Sequence, residues 1–79
     1  MKISLTGFLP DNNSDDSLKY EEIIPRHKEA DVMSLLGWLS LADECDGELL
    51  LTAGQAEKIF SLLEKSQPSG LDFFVGVTE

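Results

Sequence analysis

The sequence predicts an α+β fold of two layers, a small antiparallel sheet with two helices on one of its faces. Three observations predict it. Apolar residues alternate with period two near both ends of the chain, at 2–9 and 71–77. Between those ends the period changes to helical spacing twice, around Val32, Leu35, Leu36 and Leu39 and around Ala56, Ile59, Phe60 and Leu63. Pro10, Pro25, Pro68 and Gly70 stand where one pattern gives way to the next. The order is strand, strand, helix, short extended piece, helix, strand, or β-β-α-(β)-α-β. Its simplest packing is a two-layer sandwich.

In the first strand, Ile3, Leu5 and Gly7 face one way and Lys2, Ser4, Thr6 and Phe8 the other, the pattern of a half-buried strand. Pro10 stops it. The polar run 11–17, rich in Asp, Asn and Ser, is a hairpin loop of turn formers. A second strand of mixed polarity follows at roughly 18–24 and ends at Pro25, which cannot donate to a ladder.

The first helix starts near Glu29 and Asp31, acids that suit the positive end of the helix dipole. Val32, Leu35, Leu36 and Leu39 form its stripe, with Met33 beside Leu36. Gly37 fits the position just past the helix C-terminus, where a left-handed residue is needed. In that case Trp38 and Leu39 fold back onto the core. Residues 43–47 make a turn, and 48–51 form a short edge strand or an extended lead-in. Thr52-Ala53-Gly54-Gln55 is a capping box: Thr52 accepts from the Gln55 backbone while the Gln55 side chain reaches back to the Thr52 N–H. Ala56, Ile59, Phe60 and Leu63 form the stripe behind it, with Leu62 at the edge and Glu57, Lys58, Glu64 and Lys65 on the wet side. In the last strand Leu71, Phe73, Val75 and Val77 share one face, and Asp72, Phe74, Gly76 and Thr78 the other.

At 79 residues, 42% hydrophobic and 27% charged, the chain has room for one domain over 1–79 and too much apolar content for disorder. Cys45 is the only cysteine, so no intrachain disulfide forms; this fits a reducing cytoplasm. The N-terminus is too short and polar for a signal peptide, and no apolar run approaches a membrane span.

Charge is the functional signal. Formal net charge is −9. No Lys or Arg lies between Lys28 and Lys58, whereas seven acids do: Glu29, Asp31, Asp43, Glu44, Asp46, Glu48 and Glu57. Such a sector repels nucleic acid and anionic membrane and attracts cationic surfaces.

No catalytic motif competes with it. His27, between Arg26 and Lys28, reads as a solvated residue without a neighbouring nucleophile. Cys45, between Glu44 and Asp46, has the wrong surroundings for a reactive thiolate. Aligning Gly47 with the glycine of an EF-hand loop puts Ala42 and Ala53 where the first and last ligands belong, so calcium is excluded as an EF-hand ligand. There is no phosphate loop and no Cys/His cluster for zinc. The expectation is a protein that is not an enzyme and uses no cofactor or metal. Phe8 and Phe74 fall on the same face, opposite the helices, and form either an exposed patch or a pair covered by the sheet twist or the hairpin loop. Trp38 reads as a core plug or, beside the acidic turn, as a partner anchor.

Leu35-Leu36-Gly37-Trp38, Glu48-Leu49-Leu50-Leu51-Thr52, Gln55-Ala56-Glu57 and Asp72-Phe73-Phe74 give the second half of the chain its likeness. It resembles immunity proteins encoded beside bacterial polymorphic toxins, including those of contact-dependent growth inhibition systems. The resemblance implies a stoichiometric inhibitor that blocks a toxin domain. Nucleases need basic surfaces, so charge and resemblance agree on a cationic partner. The expected contact is the turn at 43–48, with Asp43, Glu44, Asp46 and Glu48, supplemented by Glu29, Asp31, Trp38 and Phe74. Two alternatives share the sequence features: a DNA mimic that inhibits a defence nuclease, and a structural homodimer or assembly subunit joined through the Phe8/Phe74 face.

Overall fold

Alternation at the two ends of the chain becomes the two longest strands, and these pair with each other. In the computed structural model, which describes residues 1–10, 17–39 and 47–78, β1 (Lys2–Phe8) runs antiparallel to β4 (Asp72–Thr78) along their full length. A short strand flanks each: β2 (Tyr20–Ile23) beside β1 and β3 (Glu48–Leu50) beside β4. The sheet is four-stranded and antiparallel, in the order β2-β1-β4-β3. The extended piece at 48–51 thus holds a true edge strand over Glu48–Leu50, and the second strand is shorter than its expected 18–24. Residues 11–16 of the hairpin loop and 43–46 of the acidic turn lie outside the described residues.

Helices α1 (Glu29–Leu36) and α2 (Ala53–Leu63) cover one face of the sheet. Ile3, Leu5, Phe73 and Val75 meet Val32, Ala56, Ile59, Phe60 and Leu63, with Ile24 and Leu51 closing the ends of the core. Burial of each large side chain among these contributes about 1.5–3 kcal/mol. An aromatic cluster fixes the β1–β4 end of the core: the Phe60 and Phe73 centroids lie 5.0 Å apart, and Tyr20 stands 5.5 Å from Phe60 and 6.0 Å from Phe73. Gly7 makes room for it. A Cβ there would come within 3.0 Å of the Phe73 ring and 3.1 Å of Tyr20 Cβ.

The helix ends follow local chemistry. The Thr52 hydroxyl accepts from the Gln55 N–H at 3.1 Å, and the Thr52 N–H donates to the Gln55 side chain at 2.9 Å. A short 3-10 turn, Arg26–Lys28, leads into α1. Gly37, at φ 75°, ends α1 in the left-handed region, and Trp38 N–H returns to the Met33 carbonyl at 2.9 Å. One detail differs from expectation. Trp38 packs against the core, but Leu39 is 92% exposed. The reversal at Gly37 gives the core-facing place to the first residue after it, and the next projects away. α2 closes in the same manner around a non-glycine residue, Glu64 at φ 57°, with Lys65 N–H bound to the Phe60 carbonyl at 3.1 Å.

Candidate functional site

With both helices on one side, the other face of the sheet has no covering layer among the described residues. Register decides what gathers there. One cross-strand row reads Glu21, Thr6, Phe74, Leu50; the next reads Ile23, Ser4, Gly76, Glu48. The face has two ends of different character. At the apolar end Phe8 and Phe74 meet edge to face, their centroids 5.8 Å apart, beside the exposed Leu50. Both rings are half-buried, so the pair is an exposed patch only in part. The polar end holds a groove of about 510 Å³, lined by Lys2, Ser4, Thr6, Glu21, Glu48 and Gly76 among others.

Glycine at 76 shapes that groove. A Cβ there would stand 3.0 Å from Glu48 Cγ, so the Glu48 stem lies over β4 instead of swinging off the edge. Ser4 Oγ donates to the Gly76 carbonyl at 3.5 Å. The Thr6 hydroxyl oxygen is buried and, among the described residues, has no hydrogen-bond partner.

The expected site residues divide between the two layers. Glu48 and Phe74 share the face opposite the helices. Glu29, half-buried, and Asp31, exposed, sit in the first turn of α1 on the helical side. Asp31 lines a cleft of about 510 Å³ between the helices together with Lys58. Lys58, the base that ends the acidic run in the sequence, thus lines the same cleft as one of its acids. Trp38 lines a separate hollow of about 450 Å³ with Met33 and Leu39. Asp43, Glu44 and Asp46 lie outside the described residues, as does Cys45.

Glu21 and Thr6 join the groove without having been singled out in the sequence. Strand β2 has mixed polarity, which hides which of its acids faces which way; only pairing of Glu21 with Thr6 resolves it. Its neighbour Glu22 is taken up on the helical side. Lys65 Nζ bonds Glu22 Oε1 at 2.8 Å, and the Tyr20 hydroxyl donates to the same oxygen at 3.3 Å. Burial, followed by the adjacent Glu22 charge, pushes the Tyr20 phenol above its ordinary value. The hydrogen bond to Glu22 raises the Lys65 ammonium likewise.

His27 is exposed, and among the described residues no three His, Cys, Asp or Glu side chains gather as a metal site requires. No helix among them is long and apolar enough to cross a membrane. No protein-family model matches the chain, and no curated protein or solved structure matches it.

Proposed function

We propose that this protein is an acidic binding protein that neutralises a cationic partner, a bacterial toxin domain with nuclease activity, by stoichiometric occlusion. The observation that carries the reading is its charge: 15 acids against six Lys and Arg. Glu21, Asp31, Glu48, Glu57, Glu64 and Asp72 are all exposed. A protein that grips nucleic acid must present a basic surface to the phosphates. An acidic inhibitor complements that surface, accelerates encounter by roughly 10–10³-fold, and obstructs the path of the substrate. The likeness of the second half to toxin-immunity proteins supplies the class of partner. Inhibition of this kind needs binding alone, with no chemistry by the inhibitor and no cofactor.

Affinity capture from the native host, with the bound protein identified by mass spectrometry, tests the reading. The expected result is a basic protein whose association rate falls steeply with salt and whose toxicity is cancelled by co-expression of this chain. A partner that associates at a rate independent of salt overturns the electrostatic reading. A salt-sensitive partner that is harmless to cells overturns the immunity role alone.

A further inference from the structure

We propose that the groove on the sheet face opposite the helices seats an arginine side chain of the partner protein. This rests on the cationic-partner reading and assigns the place where that partner is anchored. The floor consists of Ser4 and Thr6 on β1 and Gly76 on β4, with Glu21 at one edge of the sheet and Glu48 at the other. Absence of a side chain at Gly76 keeps the floor low, and the Glu48 stem leans over it. Two carboxylates against the one ammonium of Lys2 leave the groove with a net negative charge.

A second observation is independent of charge. Thr6 is only 7% exposed, it lines the groove, and among the described residues its buried hydroxyl oxygen has no partner. Valine would fill the same volume, suit a strand equally well and strand no polar atom. A hydroxyl at this position makes physical sense if an incoming donor completes it.

The geometry favours arginine over lysine. The backbones of the two edge strands are three strand spacings apart, about 14 Å, a gap that the Glu side chains only narrow. A guanidinium carries five N–H donors in a planar fork, so it serves a carboxylate at the edge and, once the side chains that seal the Thr6 oxygen turn aside, the hydroxyl on the floor together; an ammonium is a compact point charge. The Phe8/Phe74 end of the same face offers apolar surface to the arginine stem.

The test is a titration of the isotopically labelled full chain with hexa-arginine, hexa-lysine and an uncharged glycine-serine peptide at low salt, followed by NMR amide shifts. The expected result is saturable shifts with hexa-arginine centred on Ser4, Thr6, Glu21, Glu48 and Gly76, weaker binding of hexa-lysine, and none of the uncharged peptide. Glu21→Gln and Glu48→Gln should each weaken hexa-arginine binding about two- to fivefold, the range of a solvent-exposed ion pair. Thr6→Val should weaken it while raising the melting temperature of the free protein, a pair of opposite changes that a purely structural role does not give. Equal affinity for the two cationic peptides overturns the arginine assignment. Shifts centred on Asp31 and Glu57 overturn the groove but leave the cationic-partner reading standing. Absence of binding by either cationic peptide overturns both. Concentration-dependent shifts on this face without peptide would assign it to a second copy of the chain and overturn the proposal.

Discussion

Glu64 occupies a left-handed conformation that disfavours any residue with a Cβ. Nothing in its side chain announces that role, which is why the end of α2 is not legible in the sequence whereas Gly37 makes the end of α1 plain. Glu64→Gly should therefore stabilise the protein, by up to about 1 kcal/mol after the entropy of glycine is set against the relieved strain. A higher denaturant midpoint with an unchanged slope is the expected outcome. Thr52→Ala should act in the opposite direction, by about 0.5–2 kcal/mol, because the Gln55 N–H loses its acceptor. An unchanged midpoint would mean that the box contributes nothing. Tyr20 and Lys65 both hold their protons more tightly in the fold than their ordinary values of 10.0 and 10.5 allow. The stability they contribute is fully present below those values and is lost as pH rises through the higher folded ones. Thermal melts should thus fall away above about pH 10, and Tyr20→Phe should flatten that fall.

At the scale of elements, the change of period from two to 3.6 and back identifies β1, β4 and both helices, because each buries one face and the sequence must mark that face; β2, of mixed polarity, and β3, read as a strand or an extended lead-in, carry no such period. Pairing is a different matter. β1 is legible as a strand, and the turn formers at 11–17 make it one arm of a hairpin with β2, but nothing in 2–9 states that its other neighbour is β4. That choice is made by side chains far along the chain, such as Phe73 filling the space above Gly7. The candidate groove inherits the same opacity. Glu48 and Phe74 are visible as an exposed acid and an outward ring, yet their common face, and the arrival of Glu21 and Thr6 beside them, depend on register. The short edge strands also carry a protective feature. Glu21 and Glu48 place like charge on opposite edges, which opposes edge-to-edge pairing between copies. Replacing both with Thr should increase self-association in sedimentation experiments.

For the whole molecule, charge decides encounter more than stability. Reversing Asp43, Glu44 and Asp46 to Lys changes the net charge by six, from −9 to −3. The association rate with the captured partner should drop strongly and lose much of its salt dependence, since screening acts over a Debye length of about 8–10 Å. The melting temperature is expected to change little. A triple variant that associates at the wild-type rate in low salt would remove this acidic run from the encounter surface and leave the sheet face as the point of contact.

The central pair of strands has a consequence for biosynthesis. Ser4 and Gly76 touch across the middle of the sheet although 72 residues separate them. On the ribosome, β1 emerges first and its inner partner last. Until β4 is released, β1 and β2 form at most a lone hairpin, which is marginal in water. Ile3 and Leu5 then lack the Phe73 and Val75 neighbours that seal them in the finished core. Closing so long a loop is slow compared with local pairing. The nascent chain must therefore wait, and its own negative charge, by keeping waiting chains apart, makes that wait safe.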